Sequence, residues 1–142
     1  MDSPIKRKVY VTRKIPEPGP SILKNRFQLK MNPRADVLRR ENLIQNVRGV
    51  YALMCMLGDK IDSSVMDSAG PNLKVISCYS VGYDHVDICE AIKRKIIVTN
   101  TPNVLANTTA DLTFSLILTA ARNLVNADRH VRGGNWKFGW TP

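Results

Sequence analysis

Apolar positions along this chain fall in short blocks separated by polar, glycine or proline breaks, and the spacing within each block predicts its element. Val9-Tyr10-Val11-Thr12 reads as a short strand, and Ile15-Pro16-Glu17-Pro18-Gly19-Pro20 behind it leaves room for a loop with at most a short helix. Phe27 to Asn32 alternates as a second strand and breaks at Asn32-Pro33; Ala35 to Val47 then sets Val37, Leu38, Leu43, Ile44 and Val47 near one helical face. Val50 to Leu57 is a continuous apolar run of strand length, and Ser63 to Ala69 is a short helix ended by Gly70-Pro71. Leu73 to Cys78 is the next buried strand, Val86 to Arg94 a helix with a basic C-terminus, and Ile96 to Thr99 a last strand. Strands alternating with helical connections imply a mainly parallel sheet with helices on both faces and right-handed crossovers, an α/β domain of flavodoxin-like layering.

The remainder differs in character. Thr108-Thr109-Ala110-Asp111 has the form of a capping box, and it opens a long helix to Leu124 that is apolar nearly all round, with Leu112, Phe114, Leu116, Ile117 and Leu118. Such a helix needs a cover, which predicts packing on a second body or a second subunit. The glycine-broken tail from Arg132 to Pro142 carries Trp136 and Trp140, which read as residues that pack against a further domain. The expected organisation is a layered domain over 1–105, then a linker helix and the onset of a second body over 106–142, as in the N-terminal portion of a longer protein.

Composition narrows the classes. With 142 residues and 44% hydrophobic content, the chain carries a core for one domain and not for two. The net charge of +9 invites nucleic acid, but Lys6-Arg7-Lys8, Arg13-Lys14, Arg39-Arg40 and Lys93-Arg94-Lys95 are dispersed at element ends and no recognition motif accompanies them. The expectation is no nucleic acid; the field instead favours small anions near a cleft. Cys55, Cys78 and Cys89 form no C-x-x-C pair, and the first two sit in apolar runs, which reads as reduced structural thiols. With no cleavable leader pattern and no apolar run of membrane length, the expected setting is cytoplasmic, with no membrane partner.

The side chains that invite chemistry are few. His85 reads as a locally bonded residue with Asp84 as a cap and no catalytic role, and His130 as a solvated one; two isolated histidines give no metal site. Asp36, Asp59 and Asp62 suggest a phosphoacceptor pocket, but that chemistry needs paired acids directly after the first strand, where Thr12-Arg13-Lys14 stands. The sharper signal is Ser80-Val81-Gly82-Tyr83-Asp84-His85-Val86-Asp87, which follows a buried strand. A strand breaking into a glycine turn offers convergent backbone N–H groups where open α/β sheets place ligands, and glycine permits close approach.

Taken in order, Leu73-Lys74-Val75-Ile76-Ser77, that turn, Thr99-Asn100-Thr101-Pro102-Asn103-Val104-Leu105 and Thr108-Thr109-Ala110-Asp111 resemble the D-isomer-specific 2-hydroxyacid dehydrogenases, and most closely their glyoxylate/hydroxypyruvate reductase branch. Val9 to Pro16 and Gly133-Gly134-Asn135-Trp136 fit the same branch. The resemblance implies that 1–105 is a substrate-binding domain and that the long helix leads to a Rossmann domain holding NAD or NADP. It implies that Val81 and Gly82 offer N–H groups to the carboxylate of a small 2-oxo acid, that Ser80 shapes the turn, that Leu57 lies at the lid over the substrate, and that Thr109 approaches the cofactor. It also implies a homodimer in the full-length form. No Gly-x-Gly-x-x-Gly loop occurs in the chain, and the family's arginine clamp and its histidine–glutamate proton donor have no counterpart in matching positions, so no catalytic residue is assigned and the chain alone is expected to be inactive. The alternative is a non-enzymatic product serving as an anion-binding or dimerisation module.

Overall fold

A computed structural model describes residues 6–139. The chain divides into two compact units, Met1–Pro102 and Asn103–Pro142. In the first, β1 (Lys8–Val11), α1 (Gly19–Arg26), β2 (Gln28–Met31), α2 (Arg40–Asn46), β3 (Ala52–Cys55), α3 (Ser63–Ala69), β4 (Val75–Cys78), α4 (Ile88–Lys93) and β5 (Ile97–Thr99) alternate along the chain. All pairings are parallel and the strand order is β2-β1-β3-β4-β5, which agrees with the flavodoxin-like layering read from the sequence.

Strand periodicity divides the apolar side chains between two faces. Tyr10, Leu53, Cys55, Ile76 and Cys78 join Leu43 and Val47 of the α2 region, Val65, Met66 and Ala69 of α3 and Ala91 of α4 in the larger core. Val9, Val11, Ala52 and Met54 face the other way, toward Leu23 of α1 and Phe27. Three helices thus line one face and α1 the other.

Several strand ends shift by one or two residues, and two helix starts differ for a local reason. The helix expected from Ala35 starts at Arg40. Asn32 explains the delay: its Oδ1 accepts from the Arg34 N–H at 3.1 Å, its Nδ2 donates to the Thr12 carbonyl at 3.0 Å, and the Arg34 carbonyl accepts from Lys14 rather than from a helical partner. After the glycine turn, the cap of α4 is Asp87, whose Oδ1 accepts from the Glu90 N–H at 3.0 Å; Asp84 does not cap it.

Asp62 caps α3, accepting from the Val65 N–H at 3.3 Å while Arg40 donates to the same oxygen. Partial burial opposes ionisation of Asp62, but the Arg40 hydrogen bond and the Val65 N–H outweigh it and hold the carboxyl below its ordinary 3.8. Asp62→Ala should therefore cost about 1 kcal/mol at neutral pH, the usual worth of a cap. A depressed carboxyl stabilises the fold above its unfolded value and loses that effect as pH falls through the folded value, so the deficit should shrink below pH 3.8. Urea unfolding of both forms at pH 7 and pH 3 checks this; a deficit that does not change with pH would refute it.

In the second unit, α5 (Ala106–Ala121) and α6 (Leu124–Arg132) replace the single helix expected to Leu124. The break is at Asn123, which adopts a left-handed backbone (φ 53°) and accepts on its Oδ1 from Asn126 at 2.6 Å. The capping box is also corrected. The helix starts two residues before Thr108, its N-cap is Leu105, and no side chain caps it. No described residue of α5 is buried, Phe114 and Leu116 included, and Trp136 is exposed. Trp140 lies outside the described residues. No helix among the described residues is long and apolar enough to cross a membrane.

Candidate functional site

The carboxyl ends of β1, β3 and β4 lie side by side, and their loops carry most of the residues singled out from sequence. At the reversal of strand order between β1 and β3, where this layering opens a crevice, the ground is taken by a buried carboxylate. Asp59 is 2% exposed; its Oδ2 accepts from the Thr12 hydroxyl at 2.6 Å and the Met56 N–H at 2.9 Å, and its Oδ1 faces Arg13 at 3.4 Å. Arg13 also donates to the Leu57 carbonyl. Asp59 is thus spent on internal partners, which removes the phosphoacceptor possibility on structural grounds. The same bonds pin the loop that bears Leu57, two residues beyond the end of β3 and 60% exposed. Sequence reading missed Thr12, Arg13 and Asp59 as a unit because 47 positions separate Thr12 from Asp59.

The Ser80-Val81-Gly82 turn follows β4. Its three carbonyls are all engaged: Ser80 O accepts from the Thr101 N–H at 3.0 Å, Val81 O from Asn100 Nδ2 at 2.8 Å, and Gly82 O from Ser80 Oγ at 2.7 Å. The N–H groups of Val81 and Gly82 donate to no described residue. Peptide planes held by their oxygens present their amide sides, and successive unspent N–H groups favour an anion. Gly82 needs no glycine for its backbone angles, and a Cβ there would meet only Asp84 Oδ2, at 3.7 Å. The space where a side chain would stand is therefore open. Ser80 is buried and shapes the turn, while Val81 is 42% exposed.

His85 sits just beyond, and its setting corrects the expectation of a purely local role. Its ring Nε2 lies 3.5 Å from Cys55 Sγ, and its Nδ1 is buried without a partner among the described residues. Burial lowers its pKa below 6.5, partly offset by the carboxylates of Asp59 and Asp84, so the ring is neutral at physiological pH. Burial likewise raises the thiols of Cys55 and Cys78. All three cysteines are free, and Cys89 alone is exposed.

Thr109 belongs to the other unit, in the opening turns of α5. Its N–H is already donated to the Leu105 carbonyl at 2.9 Å, which leaves its hydroxyl as the group available to a ligand.

Known proteins resemble this chain along most of its length. The sequence pattern described as "D-isomer specific 2-hydroxyacid dehydrogenase, catalytic domain" matches residues 9–132. A glyoxylate reductase of Thermofilum pendens is 53% identical over 136 residues, which are 95% of this chain and 40% of that protein. A crystal structure of a Thermus thermophilus protein superposes with a TM-score of 0.84 at 42% identity, covering 95% of this chain and 43% of that one. The NADPH-dependent glyoxylate/hydroxypyruvate reductase of Sinorhizobium meliloti, in complex with NADP and malonate, superposes with a TM-score of 0.72 at 30% identity over 96% of this chain and 42% of its own. The chain thus spans about two fifths of the length of these relatives. Strand order, the glycine turn at the sheet's carboxyl edge and a match running from β1 to the end of α6 agree: the chain belongs to the D-isomer-specific 2-hydroxyacid dehydrogenase family.

Proposed function

We propose that the first unit is the substrate-binding portion of an NAD(P)H-dependent reductase of small 2-oxo acids, of the glyoxylate/hydroxypyruvate kind, and that the carboxylate of the substrate rests on the Val81 and Gly82 amides. One observation carries the reading: all three carbonyls of the turn are tied back while these two N–H groups are unspent. Leu57, exposed on a loop anchored by Arg13, serves as the lid over the substrate side chain. The related Sinorhizobium enzyme, described with the dicarboxylate malonate, supports a carboxylate ligand for this fold.

The nicotinamide cofactor is a weaker fit to these residues. The chain has no Gly-x-Gly-x-x-Gly loop, and of the positions assigned to it only the Thr109 hydroxyl stands near a helix start where a phosphate oxygen is favoured. The homodimer belongs to the same proposal, with α5 as a contact surface, as does a cytoplasmic setting.

Titrating the ¹⁵N-labelled chain with oxalate or malonate tests the carboxylate seat. The Val81 and Gly82 amide signals should move together and saturate, while Gly82→Val, whose branched side chain fills the open space, should weaken binding at least about tenfold, or ~1.4 kcal/mol, and leave unfolding nearly unchanged. Signals that stay still as the anion rises, or equal binding by the variant, would refute the assignment.

A further inference from the structure

Strands β3 and β4 run side by side with Cys55 opposite Cys78. In register on parallel neighbours, the two thiols leave the sheet on the same face, within the larger core, and both are fully buried. His85 reaches the same place by another route. The Ile61 N–H donates to the His85 carbonyl at 2.8 Å and the Asp87 N–H to the Ile61 carbonyl at 2.9 Å, a short parallel bridge that fixes the histidine backbone against the segment before α3. One donor atom from each of Cys55, Cys78 and His85 then lies within 4.8 Å of the other two.

A tetrahedral zinc ion, with Zn–S about 2.3 Å and Zn–N about 2.0–2.1 Å, has a sulfur-to-nitrogen edge of about 3.5 Å and a sulfur-to-sulfur edge of about 3.8 Å. The Cys55 Sγ to His85 Nε2 separation is 3.5 Å, and the second edge fits within the 4.8 Å limit. We propose that Cys55, Cys78 and His85 form a three-ligand site for a thiophilic d10 cation, zinc in the first instance. Two thiolates balance the charge of the ion and the imidazole adds none, so the loaded site is neutral, as a site with two fully buried ligands requires. Binding releases the two thiol protons to solvent. The donor set holds no oxygen and so disfavours magnesium or calcium. His85, half-buried where the two cysteines are fully buried, is the ligand nearest solvent, and three protein ligands leave a fourth position for water or another donor. The site stands apart from the carboxylate reading: it uses no amide of the turn.

A thiol-to-imidazole hydrogen bond without metal would give the same Cys55–His85 distance, and the test separates the two. The full 142-residue chain, stripped of metal under reducing conditions, is titrated with Zn²⁺ against a chromophoric chelator and, separately, with Co²⁺. One Zn²⁺ per chain is expected, with a tetrahedral cobalt spectrum carrying thiolate-to-metal charge-transfer bands. Cys78→Ser and His85→Asn should each weaken zinc by more than the roughly 10–100-fold that loss of an outer partner costs. Cys89→Ser, which removes the exposed thiol, should leave stoichiometry and affinity unchanged. If the ligand variants fail to fold, alkylation of the unaltered chain in mild urea decides instead, zinc slowing the reaction of the buried Cys55 and Cys78 relative to the metal-free chain while Cys89 reacts equally in both. Sub-stoichiometric zinc, a cobalt spectrum without sulfur bands, undiminished binding by Cys78→Ser, or thiols that zinc does not shield would overturn the site.

Discussion

Asp59→Ala should lower the unfolding free energy of this chain by about 3–5 kcal/mol, the cost of breaking a buried charged pair from one side. The carboxylate is almost wholly enclosed and meets three donors, the Thr12 hydroxyl, the Met56 N–H and the Arg13 guanidinium. Alanine removes the acceptor and leaves a hydroxyl and an amide without partners, beside a cation whose own Nε is already buried and unpaired. Each stranded polar group adds roughly 1–3 kcal/mol. Asp59→Asn keeps an acceptor oxygen for Thr12 or Met56 and should lose about half as much. Guanidinium unfolding midpoints at constant slope check both values. A cost under about 1 kcal/mol for the alanine variant would mean that water replaces the carboxylate, and the buried network would not be what fixes the Leu57 loop.

The second expectation concerns chemistry. Mixed with NADPH and glyoxylate, the 142-residue chain should oxidise the coenzyme no faster than buffer does. Enzymatic rate enhancement requires about 8–23 kcal/mol of barrier lowering. In the proposed seat the amides of Val81 and Gly82 hold a carboxylate, which carries the same charge in the ground state and in the transition state for hydride delivery. Uniform binding of that kind lowers KM and does not raise kcat. The barrier falls only if a donor meets the oxygen on which charge develops, and His85, the histidine nearest the turn in sequence, turns Nε2 to Cys55 and keeps Nδ1 buried. Absorbance at the NADPH band, followed with excess chain, reads the outcome directly. Turnover above background would show that a proton donor and a coenzyme seat exist within these residues, and the substrate-domain assignment would have to be replaced.

The parts of this structure that are local in sequence are the parts the sequence made legible. Ser63 to Ala69 reads as a helix ended by Gly70-Pro71, and α3 has those bounds; the Asp62 cap before it emerges from the structure. The apolar strands were legible for the same reason, since parallel strands buried on both faces leave unbroken runs. The start of α2 was not, because the competitor for the Arg34 carbonyl is Lys14, on a distant loop. The split between α5 and α6 turns on a single left-handed asparagine in an otherwise helical pattern. The Asp59 network and the grouping of Cys55, Cys78 and His85 need the sheet register, which brings together residues that spacing keeps apart. His85 shows the effect most plainly: its neighbours in sequence suggest a turn residue, and its neighbours in space are sulfur.

The tied carbonyls of the Ser80–Gly82 turn have a consequence for selectivity. Many exposed turns can exchange the two ends of a central peptide dipole by a concerted rotation of adjacent backbone angles, and so greet a cation with oxygen or an anion with N–H. Here each plane is held by its own oxygen, Ser80–Val81 by the Thr101 N–H, Val81–Gly82 by Asn100 and Gly82–Tyr83 by the Ser80 hydroxyl, so every such rotation breaks a bond. At roughly 0.5–1.5 kcal/mol for each bond lost, the inverted turn is a minor species. The sign of charge this edge of the sheet welcomes is therefore set before any ligand arrives, and a sodium or magnesium ion competing for the same ground would find the dipoles pointing the wrong way.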